Sequence, residues 1–125
     1  MDEVARQLRL VRLTFVNGLR NCVHWISEDL INRVRRDPEL YGLTPEGVVT
    51  LLIEWGQRGG EIRPVAGQAG EARVEFDHLF AVVIPVEGMP HALELYVKVG
   101  LHDDDEDYPE VAIVSCHRAA FRRGS

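Results

Sequence analysis

Two aliphatic segments separated by an acidic connector occupy the last third of the chain. They are Leu93–Leu101 (LELYVKVGL) and Val111–His117 (VAIVSCH), and both are rich in β-branched and aliphatic residues. The segment between them, His102–Glu110 (HDDDEDYPE), consists mainly of charged and turn-forming residues. Because β-branched runs bounded by such residues favour strands, this region is predicted to form two antiparallel core strands joined by a solvated loop.

Polar residues recur at alternate positions of both segments. They are Tyr96 and Lys98 in the first segment, and Ser115 and His117 in the second. Alternate residues of a strand share one face of the sheet. Pairing of the two strands can therefore bring the four side chains together on one face.

The first part of the chain follows a helical period instead. Apolar residues of Glu3–Val16 recur at steps of three and four, and Asn17-Gly18 follows them, as expected at a helix end. The same residues partly alternate, and Asn-Gly is also a strong turn signal, so a hairpin is the alternative.

Two further helices have clear starting signals. Ser27 is a favourable N-cap before Glu28-Asp29, and Pro38 is expected to end that helix. Thr44-Pro45-Glu46 starts a third helix, which is apolar nearly all round and is therefore expected to be buried. The glycines at Gly56, Gly59 and Gly60 are expected to end it.

After position 60 the period changes to two. Short strands are predicted at Glu61–Val65 and Ala72–Phe76, and a longer strand at Leu79–Val86. Helices first and strands afterwards indicate the α+β class. We expect a single domain over residues 1–125, in which N-terminal helices pack on a curved, mostly antiparallel sheet of four to five strands.

The 125 residues, 46% hydrophobic and 27% charged, are typical of one soluble domain. No apolar run approaches the ~20 residues of a membrane span, so no membrane partner and a cytoplasmic location are expected. Cys22 and Cys116 lie far apart and are expected to be buried apolar side chains.

The sequence contains no motif for a cofactor or a metal. It has no Walker, dinucleotide-binding, GxSxG or HExxH pattern, and its five histidines lack metal-ligand spacing. The acidic run Asp103–Asp107 lacks the alternate spacing of a calcium loop. We therefore expect no cofactor and no metal, and interpret the acidic run as a solvated hairpin tip.

The net charge of the chain is −6, and the charged residues are distributed unevenly along it. Residues 1–36 hold seven arginines and four acids, residues 37–110 hold four basic and sixteen acidic side chains, and residues 111–125 hold three arginines. Only a local basic surface is therefore available to bind nucleic acid, and it would need the two termini to meet.

His117 is the histidine most suited to chemistry. It ends the last predicted strand, shares a face with Ser115 and is followed by Arg118. An imidazole beside a guanidinium suits proton transfer at a phosphodiester, whereas the alternative is a histidine at the sheet edge with access to solvent. His24, next to Trp25, is expected to be a hydrogen-bonded interfacial histidine.

The chain resembles the motility quorum-sensing regulator toxins, which are bacterial mRNA interferases with a RelE/ParE-like fold. The segments that carry the resemblance are Leu43–Leu52 (LTPEGVVTLL), Leu95–Val99 (LYVKV) and Val111–His117, within a similarity over roughly residues 12–118. It implies that Tyr96 occupies the family's tyrosine position, and that His117 stands where the family has a lysine.

The chain also departs from the toxin family. An earlier family lysine falls near Arg63, and a family glutamine falls near Asp77 without a definite position. The toxins are typically basic, whereas this chain is acidic. Histidine in place of lysine keeps the capacity for acid–base chemistry but not a permanent charge.

These observations lead to the hypothesis of a toxin-like, metal-independent endoribonuclease, with RNA and a cognate antitoxin or other protein as partners. Its catalytic residues would be Tyr96, His117 and Arg63, and its substrate-binding residues Lys98, Arg118 and Ser115. The alternative is a non-catalytic protein-binding or regulatory module of the same fold that uses its acidic hairpin to meet a basic partner. A third hypothesis is an acidic immunity or antitoxin-like protein that blocks a basic nuclease.

Overall fold

The computed structural model describes residues 2–65, 76–89 and 92–119. In chain order these residues form α1 (Glu3–Val16), β1 (Val23–Trp25), α2 (Glu28–Arg36), α3 (Pro45–Gln57), β2 (Arg63–Val65), β3 (Leu79–Val86), β4 (Leu93–Asp103) and β5 (Glu110–Arg118). Short 3-10 turns at Arg20–Cys22 and Pro38–Leu40 precede β1 and follow α2.

The five strands form one mixed sheet in the order β1-β5-β4-β3-β2. β1 runs parallel to β5, and the other three neighbouring pairs are antiparallel. All three helices contact the sheet. The predicted α+β class, with N-terminal helices packed on a mostly antiparallel sheet, is confirmed.

The hydrophobic core lies between the helices and one face of the sheet. Alternate residues of β4, among them Leu95, Val97 and Val99, are fully buried and pack in the same cluster as the helices. The opposite face carries the intervening residues of each strand and is called the outer face below. It includes Tyr96 and Lys98, so the candidate residues lie opposite the core.

Glu3–Val16 is a helix, and the hairpin alternative is wrong. The carboxylate of Asp2 accepts a hydrogen bond from the backbone N–H of Val4 at 3.1 Å, which caps the helix N-terminus. Gly18 follows with φ +64°, a conformation that glycine adopts without strain.

The N-caps of α2 and α3 are also those expected from the sequence. Ser27 Oγ accepts from the N–H of Leu30 at 3.2 Å, and Thr44 Oγ1 accepts from the N–H of Gly47 at 3.0 Å. Gly56 does not end α3 but lies inside its last turn. A Cβ at Gly56 would come within 2.4 Å of Phe15 Cβ, so glycine there lets α1 and α3 approach closely.

Two strand predictions need correction. β1 was not predicted, because three residues are too few to show an alternating pattern. Phe76, predicted to end a strand, lies outside the strands. The rest of that predicted strand, residues 72–75, lies outside the described residues. β4 and β5 extend slightly beyond their predicted ends.

Within the described ranges, no helix is long and apolar enough to cross a membrane.

Candidate functional site

The strand register places five of the six candidate residues on the outer face. Tyr96 lies directly opposite His117 on β5, and Lys98 lies directly opposite Ser115. On the other side of β4, Lys98 pairs with Ala81 of β3, which in turn pairs with Arg63 of β2. The row Arg63–Ala81–Lys98–Ser115 therefore crosses four strands next to the Tyr96–His117 pair.

Tyr96 and His117 form a stacked pair. Their ring centroids are 5.1 Å apart and the ring planes differ by 17°. Directly opposed residues of antiparallel strands have close Cβ atoms, which explains why the two rings meet. The stack holds the imidazole at a defined position beside the phenol.

The hydrogen bond of His117 defines which ring nitrogen can accept a proton. Nδ1 lies 2.8 Å from the backbone carbonyl oxygen of Arg118. A carbonyl oxygen can only accept, so Nδ1 carries the hydrogen in the neutral ring. Nε2 is then the nitrogen with the lone pair, and the exposed position of His117 makes it accessible to a ligand.

Tyr96 and Arg63 line the same cavity, of about 480 Å³. Its other lining residues are Trp55, Glu61, Pro64, Val65, Ala81 and Val83. Trp55 is held at the wall by a hydrogen bond from its Nε1 to the carbonyl oxygen of Glu61 at 2.9 Å. The cavity thus has a largely apolar lining, with the phenol and the guanidinium among its polar groups.

The side chain of Arg63 is 69% exposed and forms an ion pair with Glu61 at 3.5 Å. Such an exposed pair contributes little free energy, because water screens it and both side chains lose freedom. An anionic ligand in the cavity can therefore compete with Glu61 for Arg63.

Lys98 and Ser115 are less accessible than the sequence suggested. Lys98 is only 8% exposed, and Ser115 is half-buried. Lysine is rarely buried without a partner, and Lys98 does make a polar or electrostatic contact. Its positive charge therefore lies beneath the surface of the site.

Arg118 is the sixth candidate, and its side chain leaves the sheet on the other face. It pairs with Leu95, a core residue, and consecutive strand residues point to opposite faces. The pairing of imidazole and guanidinium expected from their adjacency does not form on the outer face. Arg118 contributes its carbonyl oxygen to His117 instead.

The acidic connector folds back onto α1. Arg6 forms ion pairs with Asp104 and with Glu106, the latter at 3.4 Å, and Arg9 reaches Glu106 at 3.1 Å. Part of the acidic charge and part of the N-terminal basic charge therefore offset each other within the chain. The connector also starts six residues beyond Tyr96, roughly 20 Å along the strand, so it lies away from the candidate site.

The acidic residues that precede β3 in the chain are only partly described. Asp77 lies in a bend just before β3, whereas Glu71 and Glu75 lie outside the described residues. Among the described side chains, no group of three His, Cys, Asp or Glu residues is arranged to hold a metal ion.

Cys116 is buried as expected, and burial raises the pKa of its thiol to about 12. Cys22 is only half-buried.

One cluster on the outer face was not predicted from the sequence. His24 on β1 and His102 on β4 contact each other, with Nε2 of the first 3.2 Å from Nδ1 of the second. The two residues are 78 positions apart, and β5 separates their strands. Spacing in the sequence therefore gave no sign of the pair.

Comparison of the chain with protein-family models, curated proteins and solved structures finds no match. The resemblance to the motility quorum-sensing regulator toxins stays a hypothesis carried by the segments quoted above.

Proposed function

We propose that the outer face around Tyr96 and His117 binds RNA and cleaves it by acid–base catalysis, without a metal. The observation that carries the proposal is the position of His117, whose Nδ1 donates to the Arg118 carbonyl and whose ring stacks on Tyr96. This arrangement provides a proton acceptor, Nε2, next to a proton donor, the phenol. Arg63 supplies a positive charge in the adjoining cavity.

The reaction would be a transesterification within the RNA chain. His117 Nε2 takes the proton from a 2′-hydroxyl, and the 2′-oxygen attacks the neighbouring phosphorus. The bond from phosphorus to the 5′-oxygen breaks, and that oxygen takes a proton from the Tyr96 hydroxyl. The products are a 2′,3′-cyclic phosphate and a 5′-hydroxyl. Solvent then returns the proton from His117 to Tyr96.

Positive charge would stabilise the transition state, in which the phosphoryl oxygens gain negative charge. Arg63, exposed at the cavity, is placed to contact these oxygens directly. The charge of the buried Lys98 would stabilise the phosphoryl oxygens from below the surface of the outer face. Charges interact more strongly where water is excluded. Ser115, opposite Lys98, is placed to contribute a hydroxyl to substrate binding.

The location of the acidic connector supports this proposal despite the acidic net charge. The connector lies at the other end of β4 and β5 from Tyr96 and His117 and is paired with α1. The charge that RNA meets at the site is therefore set by local residues more than by the net −6 of the chain. A role as a toxin with a cognate antitoxin belongs to the same proposal and rests on the resemblance.

The direct test is incubation of the purified protein with RNA, with and without EDTA. We expect cleavage in both conditions, with products that carry 2′,3′-cyclic phosphate ends. An oligonucleotide with 2′-deoxyribose throughout should stay intact because it lacks the nucleophile. The variant His117→Ala should lose activity by about 10²–10⁴-fold, the usual contribution of general acid–base catalysis.

A matched control guards against a contaminating nuclease. Tyr108 is 70% exposed in the acidic connector, so Tyr108→Phe should retain full activity, whereas Tyr96→Phe should not. Absence of cleavage in EDTA, or unchanged cleavage by correctly folded His117→Ala, would overturn the proposal.

A further inference from the structure

A second cavity, of about 220 Å³, lies on the helix side of the sheet edge. Its lining residues come from β1, from α2, from the start of α3 and from the turn before β1. Val23 and Trp25 of β1 pair with the core residues Val111 and Ile113 of β5, so their side chains point to the helix side. The sheet therefore separates this cavity from the outer face.

The walls of this cavity are mostly apolar. Val23, Pro45 and Val49 are buried, whereas Trp25 and Ile31 are partly exposed. Trp25 also packs against the core cluster, so its indole is a fixed part of the wall. Aromatic rings pack favourably against one another, and the indole therefore makes the cavity suitable for an aromatic ligand.

Two guanidinium groups border the same cavity. Arg20 comes from the turn before β1, and Arg35 from the last turn of α2. Arg20 donates a hydrogen bond to Thr50 Oγ1 on α3, which holds its side chain at the cavity. Arg35 forms no ion pair with a carboxylate in the described ranges of the chain. An anionic ligand can therefore bind Arg35 without displacing one of these carboxylates.

Glu46 is the acidic residue on the cavity wall, in the first turn of α3. Among the described side chains it forms no ion pair, so it lies beyond ion-pair distance of both Arg20 and Arg35. Two positive groups and one negative group leave one positive charge in excess. The positive end of the α3 dipole adds to this charge. The cavity therefore favours a ligand with one negative charge.

The volume of the cavity limits the size of that ligand. A cavity of about 150 Å³ holds benzene, whereas the pockets for drug-sized ligands have about 300–1,000 Å³. A cavity of about 220 Å³ lies between the two. It has room for one aromatic ring and one small charged group.

We propose that this cavity binds a small aromatic carboxylate, with the ring against Trp25 and the carboxylate between Arg20 and Arg35. Guanidinium groups bind carboxylates through charge-assisted hydrogen bonds, which are stronger than neutral ones. Burial of the ring contributes hydrophobic free energy, and the arginines select for the negative charge. This site is independent of the proposed RNA cleavage, because the two cavities share no lining residue.

NMR titration of the full chain with sodium benzoate tests the site. The two tryptophans report on different cavities, because Trp25 lines this one and Trp55 lines the cavity at Arg63. We expect the indole N–H signal of Trp25 to shift saturably, with a Kd of about 1 mM or lower. The Trp55 signal should stay in place. Absence of a saturable Trp25 shift, or a shift of Trp55 alone, would overturn the proposal.

Benzylamine and inorganic phosphate are the control ligands. Benzylamine carries the same ring with the opposite charge, and phosphate carries negative charge without a ring. We expect neither to shift the Trp25 signal at the concentration at which benzoate saturates it. A response to benzylamine equal to that of benzoate would indicate an apolar cavity without charge selection, and an equal response to phosphate a simple anion site. Either result contradicts the proposed ligand class.

Two variants locate the bound carboxylate and the bound ring. Arg35→Gln should raise the Kd for benzoate about tenfold, because a charge-assisted hydrogen bond is lost. Its matched control is Arg36→Gln, which removes the same charge from the next residue, outside the cavity lining. Ile31→Phe should block binding by filling the cavity while both arginines remain. Equal Kd values for Arg35→Gln and Arg36→Gln, or unchanged binding by Ile31→Phe, would show that benzoate binds elsewhere.

Discussion

Tyr96 and His117 are directly opposed on adjacent antiparallel strands, and their rings stack 5.1 Å apart. The strand register sets this pair, so the backbone hydrogen bonds of the sheet, rather than a loop, fix the positions of both residues. A phenol and an imidazole are therefore kept together on the outer face in a geometry that the fold itself maintains.

Replacing Tyr96 by Phe removes the hydroxyl but keeps the ring, so this variant tests the hydroxyl alone. The stack on His117 survives in this variant, so substrate binding should be nearly unchanged. We expect kcat for RNA cleavage to fall by about 10²-fold or more, because the proton donor is lost, with little change in KM. Steady-state kinetics on a short RNA distinguish this from Tyr96→Ala, where KM should also rise. A Tyr96→Phe variant with wild-type kcat would contradict the role of the phenol.

Removing the charge of Arg63 should weaken substrate binding. Its side chain lies at the cavity and forms a solvent-exposed ion pair with Glu61. We expect Arg63→Gln to lower kcat/KM about tenfold, which corresponds to about 1.4 kcal/mol, and to reduce the salt dependence of binding. Arg9→Gln on α1, which removes the same charge away from the cavity, serves as the control. Equal effects of the two variants would point to general electrostatics instead.

Adding one methyl group at Gly56 should destabilise the fold. The new Cβ would lie 2.4 Å from Phe15 Cβ, so α1 and α3 must separate. We expect Gly56→Ala to lower the free energy of unfolding by about 1–3 kcal/mol, although alanine favours helices. Gly47→Ala in the same helix is the control, because its nearest neighbours are side-chain atoms at 3.1 Å and 3.2 Å. Urea denaturation of both variants measures the difference, and equal stabilities would argue against close packing at Gly56.

The carboxyl group of Glu3 should titrate unusually low. The hydrogen bond from Arg6 is the main cause, and it lowers the pKa of Glu3 to about 2. A lowered folded-state pKa contributes stability above the unfolded value of 4.5, and this contribution is lost as pH falls towards 2. In Arg6→Gln the pKa should return towards its ordinary value, and the acid-induced loss should shrink. NMR titration of Glu3 in both proteins checks this, and an unchanged pKa would exclude the Arg6 contact as its cause.

The two thiols should differ in reactivity. Burial raises the pKa of Cys116 to about 12, so little reactive thiolate exists at neutral pH, whereas Cys22 is half-buried. A thiol reagent should modify one cysteine quickly in the folded protein and both after denaturation. Cys22→Ser should remove the fast reaction, and fast labelling of that variant would show that Cys116 is accessible.

The acidic connector shows where charge patterning alone misleads. The run of five acids at Asp103–Asp107 suggested a solvated tip that could meet a basic partner. In the fold, two of them pair with arginines of α1, about 100 positions earlier in the chain. Fewer acidic side chains of the hairpin are therefore available to bind a basic partner, which weakens the hypothesis of a binding module that uses this hairpin.

The sequence by itself determined the three helices, the N-caps of α2 and α3, four of the five strands and the alternation that puts Tyr96, Lys98, Ser115 and His117 on strand faces. Those features depend on residues close together in the chain, whose periodicity and capping chemistry are local. Tertiary structure alone decided the strand order and register, the three-residue parallel strand β1, the burial of Lys98 and the pairing of His24 with His102. Each of these depends on contacts between distant segments, whose free energies come from packing across the sheet and leave no periodic pattern in the sequence.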